Sequence, residues 1–129
     1  MADGQRRRHK AAAYPRRGEI YLVALDPTVG HEIKKTRPAV VIQNDTTNEY
    51  FGTTIVAPIT SSVRLPLSPT HVLIMEGGPS GLTSTSMALF DQIRTVDKTR
   101  LVKLLGRIDS ETLSQVDHAI KASLGLTAF

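Results

Sequence analysis

Residues 37–43 read Arg-Pro-Ala-Val-Val-Ile-Gln, and this stretch decides how the fold is interpreted. Its centre is a continuous run of apolar, mostly β-branched residues, which is typical of a buried β-strand. Pro38 stands near the start of the run, where a backbone without an N–H group is tolerated. Arg37 opens the strand, so the sheet holds its backbone while its guanidinium reaches a loop edge. A strand end of this kind would hold an anion-binding side chain in a fixed position.

Further short strands are predicted around this one, because apolar and β-branched segments recur between turn residues. Together they give five or six strands, at residues 18–25, 37–43, 53–60, 70–75, 87–95 and, as a short sixth strand, 101–108. Residues 44–48 have the composition of a turn. Pro58 indicates an edge position or a bulge in the third strand.

The end of the chain has a different pattern, with apolar residues at helical spacing from Leu113 to Leu124. Ser110 is a suitable N-cap for this helix, and Gly125 is placed to end it. Closely spaced short strands usually curl into a small barrel. The sequence therefore predicts a mainly β fold of antiparallel strands, with a C-terminal helix that caps one open end.

The length of 129 residues and the hydrophobic content of 40% fit one folded domain. Six of the 16 basic residues but one of the 12 acidic residues lie in residues 1–17, so this segment carries +5 and the remainder −1. We expect residues 1–15 to form a flexible basic arm and residues 16–129 to form the domain. No apolar run approaches the ~20 residues of a membrane helix, and no signal-peptide pattern is recognisable. A cytoplasmic protein without a membrane partner is expected.

Several kinds of catalytic site are disfavoured because the residues they require are missing. The chain has no cysteine, no His-x-x-x-His pattern and no cluster of carboxylates at the spacing of metal ligands. The glycine patterns that hold nucleotide phosphates are missing too, and the glycine-rich residues 77–81 are interpreted as a turn between strands. The sequence therefore predicts that the protein uses neither a metal nor a cofactor.

The loop before the second strand concentrates residues that can do chemistry, namely His31, Glu32, Lys34, Lys35 and, at its end, Arg37. Histidine and glutamate can move protons near neutral pH, while lysine and arginine can hold a phosphate. From the spacing alone, a solvated surface loop explains this run of charges more simply.

Hydroxyl groups end the third strand at Thr60, Ser61 and Ser62. An ordinary Ser/Thr turn is one explanation. If this strand end meets the start of the second strand, however, Arg37 and Thr60 form a compact site for a phosphodiester.

Four further polar residues have no clear role in the sequence. Asp91 and Gln92 interrupt an apolar run, and the aspartate is either an outward-facing residue, a partner of a nearby arginine or a functional group. His71 and His118 have no obvious partners in the sequence, so we interpret both as structural or surface residues.

These segments together resemble the MazF/PemK family of bacterial toxins over about residues 17–126. Their order and spacing, more than any single segment, carry the resemblance. The matching segments are residues 17–21, 30–32, 37–41, 58–61 and 91–96, followed by Leu101 and the closing helix.

The resemblance implies an SH3-like β-barrel with a C-terminal helix, working as a homodimer. It implies a sequence-specific endoribonuclease that cuts single-stranded RNA, mostly mRNA, without a metal. Because a ribose 2′-OH can attack its own adjacent phosphate, the products would carry a 2′,3′-cyclic phosphate and a 5′-OH. The family also implies a cognate antitoxin whose disordered, acidic tail covers the RNA groove.

The family's arginine in the Arg-Pro strand and its threonine after the Pro-Ile turn fall on Arg37 and Thr60. In PemK-like members a His-Glu pair and an aspartate are also implicated, and these match His31, Glu32 and Asp91. All five are therefore expected to be catalytic, although the sequence does not decide which group is the base.

One position departs from the pattern, because some members have an arginine where this chain has Leu89. A mechanism that depends on that arginine cannot apply here, so Arg37 is expected to hold the phosphate. Contacts to RNA are expected from a second group of polar residues, namely Lys34, Lys35, Ser61, Ser62 and Gln92.

Two rival functions are consistent with the same fold. A related barrel of the CcdB type would poison a topoisomerase without cutting RNA, and an inactive module would bind RNA or dimerise only. The pairing of Arg37 with Thr60 argues against the poison, because a protein that only blocks gyrase needs no phosphate site.

Overall fold

The computed structural model describes residues 14–25 and 36–129. Within these residues the chain forms seven strands and two α-helices: β1 (Glu19–Ala24), β2 (Thr36–Val41), α1 (Asp45–Tyr50), β3 (Thr53–Thr60), β4 (His71–Ile74), β5 (Ser86–Leu89), β6 (Arg94–Asp97), β7 (Leu101–Arg107) and α2 (Ser110–Ser123). The prediction of a mainly β chain with a C-terminal helix is confirmed. Among the described residues, no helix has the length and apolar character that a membrane span requires.

All the strand pairs are antiparallel, and the strands follow the order β4-β5-β3-β2-β1-β7, with β6 added beside β3. The path ends at β4 and β7, which do not pair in the described sheet, so the barrel is not strictly closed by hydrogen bonds. A 3-10 turn at Gly78–Ser80 packs against β7 instead. A Cβ atom on Gly106 of β7 would lie 2.3 Å from the Pro79 carbonyl oxygen, so only glycine permits this close approach.

The strand predicted at residues 87–95 is in fact two strands, which is why the structure has seven strands and not five or six. A 3-10 turn at Phe90–Gln92 separates β5 from β6. Phe90 is fully buried, and its N–H donates to the Thr70 carbonyl at 2.9 Å. This anchor ends the ladder between β4 and β5, after which β6 pairs with β3.

The interpretation of Pro58 as an edge or bulge residue is wrong, because β3 is an interior strand. One edge of β3 pairs with β2, while β6 covers residues 53–56 and β5 covers residues 59–60. Pro58 lies in the gap between these last two partners. A backbone without an N–H group is tolerated there because no ladder requires a donor.

The turn predicted at residues 44–48 forms the start of helix α1. The Asn44 side chain caps the helix by accepting a hydrogen bond from the Thr47 N–H at 2.8 Å. Asn and Asp favour both turns and helix N-caps, because their short side chains reach nearby backbone N–H groups. Composition alone therefore did not distinguish a turn from the start of a helix.

Helix α2 begins one residue earlier than predicted, because its N-cap is Asp109 and not Ser110. The Asp109 carboxylate accepts from the Thr112 N–H at 2.7 Å, and this hydrogen bond lowers the pKa of Asp109. The predicted end is confirmed: Gly125 has a φ of 75°, and the Leu126 N–H donates to the Lys121 carbonyl at 2.8 Å. This is the Schellman arrangement that favours glycine.

The core consists of two apolar clusters on opposite faces of β2. Val40 belongs to the larger cluster, which α2 covers with Val116 and Ala119. Ala39 and Val41 belong to the smaller cluster. Burial on both faces explains why residues 37–43 show a continuous apolar run and no alternation.

Candidate functional site

Arg37 and Thr60 lie opposite each other on neighbouring strands. Ala39 pairs with Pro58, and continuing this antiparallel register by two residues places Arg37 beside Thr60. On its other edge Thr60 pairs with Met87 of β5. The two strand ends therefore meet as the sequence suggested, and both side chains face open cavities.

The larger cavity, which we call the first groove, has a volume of about 640 Å³. Apolar side chains form part of its wall, and polar or charged side chains form the rest. The apolar residues are Leu25, Pro58, Ile59, Met87 and Leu89, and the polar ones are Arg37, Thr60, Ser62, Arg64, His71, Asp91, Gln92 and Arg94. Such a mixed lining suits a ligand that carries both flat apolar rings and charged groups.

The first groove has an excess of positive charge. Three arginines, Arg37, Arg64 and Arg94, line it together with one carboxylate, Asp91. Arginine presents a planar fork of donors that matches phosphate oxygens. The groove is therefore suited to a polyanion, although the remainder of the chain after residue 17 carries a formal charge of −1.

A smaller cavity of about 310 Å³, the second cavity, lies on the other side of Arg37 and Thr60. These two residues, with Ile59 and Ser62, line both cavities and so form a divide between them. The wall of the second cavity is rich in hydroxyl groups, from Thr60, Ser61, Ser62, Thr83, Ser84 and Ser86. An extended ligand that fills both cavities must pass across Arg37 and Thr60.

The hydroxyl group of Thr60 is oriented by the backbone that follows it. The Ser62 N–H donates to Thr60 Oγ1 at 3.1 Å. Since a hydroxyl has one donor and two acceptor sites, this bond leaves its hydrogen to be donated to a ligand oxygen.

Asp91 pairs with a histidine and not with an arginine. His71 Nε2 lies 3.1 Å from Asp91 Oδ1, and the side chains are 20% and 46% exposed. The interpretation of His71 as a residue without a partner was therefore wrong. The residues are 20 positions apart in sequence, and only the pairing of β4 with β5 brings them together. His118, the other histidine considered, is exposed on α2.

Four of the predicted site residues, His31, Glu32, Lys34 and Lys35, lie outside the described residues, as does most of the basic arm. The structure brings together the other six, Arg37, Thr60, Ser61, Ser62, Asp91 and Gln92, around the two cavities. Sequence reasoning missed Arg64 and Arg94. Arg94 follows the Asp91-Gln92 pair by two residues, which is a signal that could have identified it.

In the described part of the chain, no group of three or more His, Cys, Asp or Glu side chains is arranged to hold a metal ion. The polar groups of the described residues that converge on the two cavities are arginines, hydroxyls, the Gln92 amide and the His71–Asp91 pair.

Comparison with known proteins identifies the family and agrees with this fold. The sequence-family model of the PemK-like, MazF-like toxins of type II toxin–antitoxin systems matches residues 16–124. An endoribonuclease MazF of Staphylococcus epidermidis is 45% identical over 114 residues, which cover 88% of this chain and 94% of the relative. The chain therefore belongs to the PemK-like, MazF-like toxin family of type II toxin–antitoxin systems, and the resemblance noted in the sequence is confirmed.

Solved structures show the same fold. An endoribonuclease from a mycobacterial species, in complex with its cognate antitoxin, has a TM-score of 0.71 and 24% identity, over 88% of this chain and 97% of that one. A MazE–MazF structure from Deinococcus radiodurans has a TM-score of 0.70 and 25% identity, with 88% and 97% of the two chains covered. The small antiparallel barrel with a C-terminal helix is thus a toxin fold of this family.

Proposed function

We propose that this protein is the toxin of a toxin–antitoxin pair and acts as a sequence-specific endoribonuclease on single-stranded RNA. Family membership and the 45% identical relative named as an endoribonuclease support this activity. The observation that carries the proposal is the placement of Arg37 beside Thr60, on the divide between two cavities. A phosphate at the divide would have one nucleotide in each cavity.

The proposed reaction is a transfer within the RNA. The 2′ oxygen of a ribose attacks the adjacent phosphorus, the new 2′-O–P bond forms, and the P–O5′ bond breaks. The 2′-OH loses its proton to a base, and the leaving 5′ oxygen gains one. The products carry a 2′,3′-cyclic phosphate and a 5′-OH, so the step consumes neither a metal nor an external nucleophile.

Arg37 and Thr60 would stabilise the transition state of this reaction. The guanidinium of Arg37 would bind the non-bridging phosphate oxygens, whose charge increases as the phosphorane forms. It would not act as a base, because a guanidinium stays protonated in proteins. Thr60 would donate its free hydroxyl hydrogen to the same phosphate, since its oxygen already accepts from Ser62.

Asp91 is the proposed proton-transfer group that lies among the described residues, and it lines the first groove. His31 and Glu32 stay as candidates for the second proton transfer, because an in-line displacement needs groups on both sides of the phosphorus. RNA contacts are proposed for Arg64, Arg94 and Gln92 in the first groove, for Ser61 in the second cavity, and for Ser62 in both. Lys34 and Lys35 would follow the RNA backbone.

The proposal includes an antitoxin and a second copy of the chain as partners, in the bacterial cytoplasm. An acidic antitoxin segment in the first groove would compete with RNA for its three arginines. The edge strand β7 exposes Val102 and Leu104, which are 58% and 50% exposed, and such a surface suits a homodimer. Light scattering of the purified protein tests the dimer.

The activity is tested by incubating the purified protein with long single-stranded RNA in excess EDTA. We expect cleavage at a short recurring sequence, 5′ ends that accept phosphate directly from a kinase, and a cyclic phosphate detected by mass spectrometry. RNA that stays intact while DNA gyrase is stalled would instead identify a topoisomerase poison. RNA that is bound but never cut would identify an inactive binding module.

We expect Thr60→Ala to lower kcat about 100-fold, because one hydrogen bond to the developing phosphorane charge is lost. Thr60→Ser keeps the hydroxyl and should retain most of the activity. Initial rates on a fluorescent oligonucleotide containing the cut site measure both variants. Thermal melting provides the control, and a Thr60→Ala protein that has lost its cooperative transition would contradict a catalytic role.

Deleting residues 1–13 should leave the cut sequence unchanged and at most weaken RNA binding at low salt. The deleted segment holds four basic residues and one acidic residue, so it can add only non-specific phosphate contacts. The deletion stops before Tyr14, whose ring lies 4.6 Å from the Arg16 guanidinium. Arg17 stays because it bonds to the Ile42 carbonyl and to Asp117 of α2. Sequencing of the cleaved ends measures the specificity, and a changed cut sequence would show that the arm reads RNA.

A further inference from the structure

His71 and Asp91 form a pair that the fold holds in place at one end of the first groove. His71 is the first residue of β4, and Asp91 lies in the 3-10 turn after β5. The residues just before them are tied together, since the Phe90 N–H donates to the Thr70 carbonyl at 2.9 Å. Phe90 is fully buried, so the backbone under both side chains is fixed.

The direction of the hydrogen bond follows from the chemistry of the two groups. An ionised carboxylate only accepts hydrogen bonds, so the hydrogen lies on His71 Nε2 and is donated to Asp91 Oδ1 at 3.1 Å. The bond occupies one carboxylate oxygen and leaves Oδ2 as the atom that can accept from RNA. Both residues line the first groove together with Arg37 and Thr60.

We propose that His71 is a positioning residue for Asp91, which holds the carboxylate in the orientation needed to accept the proton of the ribose 2′-OH. This inference rests on the endoribonuclease function proposed above. As the 2′-O–P bond forms, the proton moves from the 2′ oxygen to Asp91 Oδ2. The P–O5′ bond breaks, and the 5′ oxygen gains a proton that comes from water and is relayed by the group on the opposite side of the phosphorus. Asp91 later returns its proton to water.

The exposure of the two side chains supports a positioning role over a purely structural one. Asp91 is nearly half exposed, so without a partner its carboxylate would be free to rotate. His71 is 20% exposed, so a larger fraction of its side chain than of the Asp91 side chain is packed against the rest of the protein. The less mobile residue therefore orients the more mobile one.

The test compares His71→Ala with His71→Gln. The glutamine amide can donate a hydrogen bond at about the reach of Nε2, but it cannot exchange a proton. We expect His71→Ala to lower kcat roughly 10- to 100-fold with little change in KM, because a misplaced catalytic group costs rate more than binding. His71→Gln should recover most of this loss.

A double-mutant cycle with Asp91→Asn completes the test. Asp91→Asn alone should lower kcat by about 100-fold or more, and adding His71→Ala to it should change kcat less than about twofold, since the group to be positioned is gone. His118→Ala is the matched control, because this exposed histidine of α2 does not line the first groove. Its activity and melting temperature should equal those of the unmodified protein.

Each other outcome overturns the inference in a recognisable way. A glutamine variant as slow as the alanine variant would mean that His71 itself transfers a proton. Equal losses with and without Asp91 would mean that the two residues act independently, and a change in KM alone would mean an RNA contact. If the unmodified protein cuts RNA and His71→Ala is fully active, only this inference fails. If the unmodified protein cuts no RNA, the proposed function fails as well.

Discussion

Replacing Arg37 by alanine should lower kcat/KM for RNA cleavage by about 1,000-fold or more. Among the residues that the structure describes, Arg37 is the one arginine that borders both cavities, where the scissile phosphate is proposed to lie, and the substitution removes its guanidinium. Single donors to a developing oxyanion contribute about 100- to 1,000-fold, and arginines that stabilise a transferring phosphoryl group contribute about 1,000-fold or more. Thr60 and the other two arginines of the groove cannot replace a bidentate contact at that point.

Arg37→Lys separates the charge of this residue from its geometry. Lysine keeps a positive charge but lacks the planar fork, so we expect a loss of roughly 10- to 100-fold, mainly in kcat. Single-turnover rates on an oligonucleotide with the cut site measure kcat apart from binding. Arg107→Ala is the matched control, since Arg107 is an exposed arginine of β7 that does not line the groove. An Arg37→Ala protein within tenfold of full activity would disprove the assignment.

The juxtaposition of Arg37 and Thr60 could be predicted because it depends on strand boundaries. A continuous apolar run marks β2, and β3 has the bounds that the sequence indicated, Thr53–Thr60. Two consecutive antiparallel strands with a short connection are usually neighbours, so the start of one meets the end of the other. Local patterns were therefore enough to place these two residues.

The pair of His71 with Asp91 could not be predicted in the same way. Their contact needs three facts that no local pattern carries: β4 pairs with β5, His71 is in register with Leu89, and the chain turns at Phe90. The apolar residues on both sides of Asp91-Gln92 suggested one long strand. Burial of Phe90 in the core is what breaks that strand and directs Asp91 into the groove.

The segment around helix α1 is a second case in which local sequence patterns did not predict the structure. Its polar sequence predicted a turn, yet the segment is helical and Asn48 is fully buried. A buried amide requires hydrogen-bond partners, and those partners are Gln43, two residues after β2, and Thr54 at the start of β3. Sequence composition identifies residues that can satisfy one another, but it does not indicate that they are enclosed.

We expect Asn48→Ala to lower the free energy of unfolding by roughly 4 kcal/mol, because several buried polar groups lose their partners at once. Asn48 Oδ1 accepts from Gln43 Nε2 at 2.9 Å and from Thr54 Oγ1 at 2.7 Å, and its Nδ2 donates to the Gln43 carbonyl at 2.8 Å. Gln43 and Thr54 are buried too, so water does not readily replace the lost contacts. Urea unfolding, followed by circular dichroism at neutral pH, measures the change.

Two further variants test whether the expected loss of stability is specific to the hydrogen-bond network of Gln43, Asn48 and Thr54. Thr54→Val removes a single donor and keeps the shape of the side chain, so it should cost about 1 kcal/mol. Glu49→Ala changes an exposed residue of α1 and should stay within about 0.5 kcal/mol of the unmodified protein. If Asn48→Ala costs no more than Thr54→Val, the amide is not the centre of the network. Because none of Asn48, Glu49 and Thr54 lines the first groove, the cleavage rate per folded molecule should be unchanged in all three variants. Stability and activity are thus expected to depend on separate sets of residues, the buried amide network at one end of β3 and the Arg37–Thr60 divide at the other.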